Sequence, residues 1–138
     1  MAKECVFCQI VAGKLPAEIV VENNDAVAFL DKSPLQFGHV LLIPKPHIET
    51  LEQLLPERSG DFFKLTQMIS VAVERGLGAE GTFIALNNKV SQSVPHIHMH
   101  IVPRKKGDGL KGFFWPRKKY GSDEHAAETA AKIREALK

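Results

Sequence analysis

The chain has 138 residues, with 18 Lys and Arg against 16 Asp and Glu, and 44% of its residues are hydrophobic. That length supports one domain with a real core and is short for two. A net charge of +2 gives no global electrostatic case for nucleic acid. No apolar run is long enough to span a bilayer, and the opening "MAKECVFCQIVAGK" lacks the apolar core of a secretion signal, so a cytoplasmic protein is expected.

Cys5 to Val11 is a short apolar stretch stopped by Gly13, expected as one or two helical turns. Its two cysteines lie three apart, a poor disulfide scaffold; in a reducing compartment they suggest metal binding or redox chemistry. Ala17 to Glu22 reads as a strand, Asn23 to Asp25 as a turn, and Ala26 to Leu30 as the returning strand of a hairpin. His39 to Pro44 is a third strand, and its near-continuous apolar run predicts burial on both faces. Pro56 to about Gly76 is expected as a helix with Phe62, Leu65, Ile69, Ala72 and Val73 on one stripe. Gly76 and Gly78 supply its stop. Thr82 to Asn87 is a fourth strand and His96 to Val102 a fifth. Ser122 opens a final helix, with Asp123 and Glu124 in its first turn and Ala126, Ala130, Ile133 and Leu137 on its apolar stripe. This order predicts an α+β fold: a mainly antiparallel five-stranded sheet, one long helix and a C-terminal helix. A single domain over residues 1–138 is expected, with a core over about 5–104 and an appended 105–138. Between Arg104 and Tyr120 the chain mixes basic residues with Phe113, Phe114, Trp115 and three glycines, suiting an arm, a lid or an oligomer contact.

"VPHIHMHIVPR" (Val94 to Arg104) carries three of the six histidines on alternate positions. Alternate strand residues share a face about 6.5–7 Å apart, so His96, His98 and His100 line up opposite Ile97, Met99 and Ile101. The histidine face then looks onto solvent or a cleft. Three readings compete. One is a polar sheet face that happens to use histidine. Another is catalytic zinc, with two strand histidines and an outside ligand. The outer two histidines of the three stand roughly 13 Å apart, too far to share one cage. The last is covalent phosphate transfer, in which a neutral imidazole attacks phosphorus and a neighbouring histidine donates to a phosphoryl oxygen. Ser93 would assist the leaving group and Gln92 would add donors, without a metal.

His-Ile-His-Met-His-Ile-Val resembles the signature of the histidine triad (HIT) superfamily of nucleotide hydrolases and transferases. "CVFCQIVAGKLPA", "VAFLDKSPLQFGHVLLIPKPH" and "SQSVPHIHMHIVPR" resemble that family's successive blocks, in order, from about Cys5 to Arg104. The resemblance implies a homodimer with joined sheets. It implies attack by His98 on the α-phosphate of a purine nucleoside phosphoramidate or dinucleoside polyphosphate, through a nucleotidyl-histidine intermediate. His100 and Ser93 would then touch the phosphate or leaving group. Asn87 and Gln92 would add phosphate contacts, Asp31 would bind ribose, and Phe7, Ile10, Phe29 and Leu30 would form the base slot. His39 would support the site. Each has a plainer alternative: Phe29 and Ile10 as core, Asp31 as a turn cap, His39 as a satisfied core histidine. The loop "NNKVSQS" is shorter than the usual family form, and Ser91 stands where glycine is usual, which leaves open whether Asn87 or Asn88 faces phosphate.

Cys5, Cys8, His47 and His96 match the zinc-bearing branch of the same superfamily, as a structural Cys₂His₂ site outside the chemical step. This relieves the spacing problem, since His96 binds metal while His98 and His100 serve phosphate. Two rivals stand beside this reading. One is a zinc-hydroxide hydrolase with the triad as ligands. The other is a non-catalytic nucleotide- or RNA-binding module using the basic, aromatic 104–120 stretch, although nucleic acid is not the expected partner.

Overall fold

The computed structural model describes residues 5–110 and 116–138. Phe113, Phe114 and Trp115 of the basic, aromatic stretch lie outside the described residues. The chain divides after Asp108 into two compact units.

The first unit holds helix α1 (Val6–Val11), strands β1 (Ile19–Glu22), β2 (Ala26–Leu30) and β3 (Val40–Pro44), a 3-10 turn (Leu51–Gln53), helix α2 (Pro56–Leu77), and strands β4 (Gly81–Leu86) and β5 (Met99–Arg104). All strand pairings are antiparallel, in the order β1-β2-β3-β5-β4. The hairpin turn forms because the Asn23 Oδ1 accepts from the Asp25 and Ala26 amides at 2.8 and 2.9 Å. The α+β, five-stranded antiparallel architecture is the one expected.

Strands β2 and β3 are buried on both faces, as their apolar run predicts. Ala26, Ala28, Val40 and Leu42 pack with Phe62, Leu65, Ile69 and Val73 of α2. Val27, Phe29, Leu41 and Ile43 face the other way, onto Cys5 and Phe7 at the start of α1. The α2 stripe differs from expectation at one turn. Ala72 is exposed and Thr66 is buried in its stead. Thr66 sits one turn from Phe62, and its Oγ1 donates to the Phe62 carbonyl at 3.0 Å, so its hydroxyl enters the core with a partner. The helix runs through Gly76 to Leu77 and stops at Gly78, which adopts φ 66°.

The fifth strand begins later than expected. It starts at Met99, and His96 and His98 lie on the segment entering it. Pro95 has no amide hydrogen to give a ladder. The His96 amide turns back to the Val94 carbonyl and the Ile97 amide donates to Ile48, both at 2.8 Å, instead of pairing with a strand. At the far end β5 passes through Pro103, which pairs with β4 but lies beyond the β3 register, where no donor is required.

The second unit contains helix α3 (Asp123–Ala136). Ser122 caps it by accepting from the His125 amide at 3.0 Å, and Asp123 and Glu124 occupy its first turn. Among the described residues, no helix is long and apolar enough to cross a membrane.

Candidate active site and metal centre

β5 alternates as the histidine pattern requires. His100 is opposite Leu41 of β3 and Ala85 of β4, on the face away from α2, while Met99 and Ile101 pack toward α2. His98 is drawn into the same face and is only 3% exposed. The Phe7 ring meets its ring edge-on at 5.1 Å, and the His100 ring lies 4.9 Å away. The His98 Nδ1 is 2.8 Å from the His96 carbonyl oxygen, which can only accept, so Nδ1–H is the donor. The lone pair of this imidazole is therefore on Nε2. No described hydrogen bond engages Nε2, and among the described residues no fully buried side-chain nitrogen or oxygen lacks a partner. Nε2 thus keeps an opening to the surface.

A second chain of contacts fixes His100. The Leu35 amide donates to the His39 Nδ1 at 3.1 Å, which leaves the hydrogen on Nε2. That Nε2–H faces the His100 Nδ1 at 3.0 Å, so His100 accepts there and carries its own hydrogen on Nε2. Asp31 Oδ2 stands 3.7 Å from the His39 Nε2. Burial holds His39 below the ordinary histidine range, against the pull of Asp31. Burial, with His98 and His39 as neighbours, pushes His100 down to about 4. Near neutral pH both rings are uncharged, and His100 offers an N–H. One imidazole with a free lone pair beside another with a directed N–H is a constellation for nucleophilic attack on a phosphoryl centre.

The four expected metal ligands come together. Donor atoms of Cys5, Cys8, His47 and His96 all lie within 4.8 Å of one another. Cys5 Sγ is 3.4 Å from His96 Nδ1, Cys8 Sγ is 3.6 Å from the same atom, and Cys8 Sγ is 3.2 Å from His47 Nδ1. A tetrahedral ion with bonds of about 2.3 Å to sulfur and about 2.0 Å to nitrogen has sulfur–nitrogen edges of about 3.5 Å, so the cluster is already near that geometry. Outer contacts orient both rings. The His96 Nε2–H donates to the Pro44 carbonyl at 2.7 Å, and the His47 Nε2 lies 3.5 Å from a Glu49 carboxylate oxygen. Burial and the neighbouring Cys5 thiol push the Cys8 thiol up to about 11, so Cys8 needs a cation to become a thiolate.

The other expected residues divide. Phe7 and Phe29 are buried and meet edge-on at 5.5 Å; Ile10 is partly buried against their cluster, and Leu30 is 38% exposed. Asp31 Oδ1 accepts from the Ser33 amide at 2.9 Å, so this carboxylate caps a turn while its other oxygen faces His39. Gln92 clamps its loop, accepting from the Lys89 amide and donating to the Glu49 carbonyl. Asn88 ties the same loop to the 3-10 turn through the Leu51 amide and Glu52. Asn87 is exposed and follows directly after the end of β4, two residues beyond Ala85. Ser91 adopts φ 63°, a left-handed conformation at the position where the family pattern has glycine. Ser93 is exposed on a shallow cleft with Cys5, Val6, His47 and Glu49, and no described hydrogen bond joins it to His98 or His100. Sequence reasoning missed the Leu35 amide, the Pro44 carbonyl and Glu49; the first two are backbone groups with no sequence signal. A cavity of about 550 Å³ against α2 is lined by Val21, Ile48, Leu54, Phe62 and Met68, among others, and by none of the histidines.

Comparison with known proteins agrees with this geometry. The HIT domain family pattern matches residues 12–107. A crystal structure of a HIT family member from Bacillus subtilis superposes with a TM-score of 0.86 at 35% identity, covering 96% of each chain. A zinc-bound histidine triad family protein from Mycobacterium smegmatis superposes with a TM-score of 0.76 at 34% identity, covering 99% of each chain. The adenosine 5'-monophosphoramidase hnt1 of Schizosaccharomyces pombe is 33% identical over 94% of this chain and 98% of its own. With two histidines on the entry to β5 and a third within it, its antiparallel sheet and its Cys/His cluster in place, the chain belongs to the HIT domain family.

Proposed function

We propose that this protein is a nucleotide hydrolase or nucleotidyl transferase that cleaves at the α-phosphate of a purine nucleoside conjugate, a phosphoramidate or a dinucleoside polyphosphate. The observation that carries the reading is the pinned His98 ring, with Nδ1–H on the His96 carbonyl at 2.8 Å and its Nε2 lone pair left for phosphorus. His98 Nε2 forms a bond to the α-phosphorus as the bond to the leaving group breaks. The His100 Nε2–H donates to a phosphoryl or leaving-group atom, and His39 holds that tautomer from behind. Water then breaks the nitrogen–phosphorus bond and releases the nucleoside monophosphate.

We assign Asn87 to the phosphate, because the Asn88 amide is engaged by Leu51 and Glu52. Ser93 assists the leaving group from the loop entering β5, and Gln92 chiefly holds that loop for it. Asp31 binds ribose, and Ile10 and Leu30 close the base over the Phe7–Phe29 pair. Cys5, Cys8, His47 and His96 hold structural zinc, whose charge would keep both thiolates in place. The position of β4 at one end of the strand order and the exposed Phe63, Val71 and Ile84 support a homodimer. The test is intact-mass analysis after mixing with an adenosine phosphoramidate. The wild type is expected to show a transient adenylate adduct and His98→Ala none; normal turnover by folded His98→Ala overturns the mechanism.

A further inference from the structure

Helix α1 opens on a dithiol whose ring partner, His96, also supplies the carbonyl that pins His98. We propose that Cys5 and Cys8 are a modification site for peroxide-class oxidants, at which disulfide formation empties the Cys/His cluster and unseats the backbone holding the nucleophile. The inference rests on the zinc and His98 readings above.

The two sulfurs are placed for it. They lie within 4.8 Å of each other on one turn of chain, with the Cys8 amide 3.4 Å from the Cys5 Sγ. A modest side-chain movement brings them to a disulfide bond of about 2.05 Å. The cluster is also reachable. A cleft of about 310 Å³, lined by Cys5, Val6, His47, Glu49, Ser93 and Val94, opens beside it, and Cys8 itself is partly exposed. The cleft reaches Cys5, while Cys8, the more exposed of the two, meets a small oxidant from outside it.

The chemistry closes without another reactant. The Cys8 thiolate attacks one peroxide oxygen; a sulfur–oxygen bond forms, the oxygen–oxygen bond breaks and hydroxide leaves. The Cys5 thiolate then attacks the Cys8 sulfur, forming the disulfide and expelling a second hydroxide. Two electrons pass from the thiolates to the peroxide. His47 and His96 alone do not retain a tetrahedral ion, so zinc is released. A dithiol reductant together with zinc reverses the sequence.

Two contacts carry the change to His98. The His96 ring is held at Nδ1 by the cluster and at Nε2 by the Pro44 carbonyl, and the same residue's carbonyl takes the His98 Nδ1–H. Phe7, between the two cysteines, packs edge-on against both His96 and His98, at 5.9 and 5.1 Å. Closing the disulfide draws in this turn and removes one of the two ties on His96. His96 is thus a positioning residue, and losing such an outer contact typically lowers activity by about 10- to 100-fold.

The experiment starts from protein as purified. Its zinc content is measured, and hydrogen peroxide is then titrated in. Four readouts are followed together: zinc captured by a chromophoric chelator, the mass loss of two hydrogens, the rate of adenylate adduct formation, and the ¹⁵N signals of the His98 ring. Expected are zinc release in step with disulfide formation, loss of the single His98 tautomer, and adduct formation slowed about 10- to 100-fold. Dithiol and zinc restore all four. Cys8→His removes the second thiol, so whatever metal content and adduct rate this variant starts from should not change through the same titration. Protein without zinc at the outset overturns the metal reading and this inference with it, whereas a missing adduct before oxidation overturns the His98 reading alone. A disulfide that forms with the adduct rate and the His98 signals unchanged overturns the inference and leaves both readings standing.

Discussion

Replacing His39 with alanine isolates the contact that sets the His100 tautomer. The His39 Nε2–H donates to the His100 Nδ1 at 3.0 Å inside a site where His39 is 2% exposed, and the Leu35 amide donates to its other nitrogen at 3.1 Å. His39→Ala removes both bonds. Each is worth about 1 kcal/mol net, and leaving buried partners unsatisfied adds about 1–3 kcal/mol, so unfolding free energy should fall by about 3–5 kcal/mol in a denaturant titration. The rate effect is separate. Without the donor, His100 is free to carry its hydrogen on Nδ1, which points its lone pair at the reacting centre. A tautomer preference of about 1–1.5 kcal/mol lost at this position corresponds to about a tenfold slower adduct formation. Single-turnover mass analysis reads that rate under conditions where both proteins are folded. His39→Gln, whose amide can still donate toward His100, should recover part of it. Adduct formation at the wild-type rate in His39→Ala, or no difference between the two variants, refutes the relay.

Other consequences are equally specific. His100 is held down to about 4 by burial, and His39 is also lowered, so between the ordinary histidine range and about pH 4 the unfolded chain binds more protons than the native one. Stability should therefore be flat above about pH 6.5 and decline as pH falls toward 4, by about 2–3 kcal/mol for His100, as read by denaturant midpoints at each pH. Asn87→Ala should slow adduct formation about 10- to 100-fold with little change in stability, because this side chain is exposed and its proposed partner is the phosphate. Asn88→Ala should do the reverse, lowering stability by about 1 kcal/mol through its contacts to Leu51 and Glu52, with the rate little changed. Ser91→Gly should raise the thermal midpoint by relieving a non-glycine φ of 63°, a gain of about 0.5–1 kcal/mol.

The sequence is legible where periodicity and local chemistry decide. The hairpin follows from Asn23 as a turn acceptor, the doubly buried β3 from its apolar run, and the α2 stripe from Phe62, Leu65, Ile69 and Val73. The Cys/His cluster was readable as a ligand set, and the structure adds the atoms that aim it. What the sequence hides is mostly backbone. The start of β5 is moved by a missing Pro95 amide and a bond from Ile97 to Ile48, neither visible as a pattern. The tautomers of His39, His96 and His98 are set by the Leu35 amide and by the Pro44 and His96 carbonyls. Gln92 reads as a phosphate donor in a linear motif, with Asn88 as the alternative to Asn87; only the folded loop shows the Gln92 and Asn88 amides joined to Lys89, Glu49, Leu51 and Glu52.

The stereochemical course at the α-phosphorus tests covalent attack most directly. A substrate made chiral at that atom with oxygen isotopes is hydrolysed, and the configuration of the released nucleoside monophosphate is determined. Two successive in-line displacements, first by His98 Nε2 and then by water, give net retention. Net inversion would mean that water attacks phosphorus in a single step, and would contradict the account.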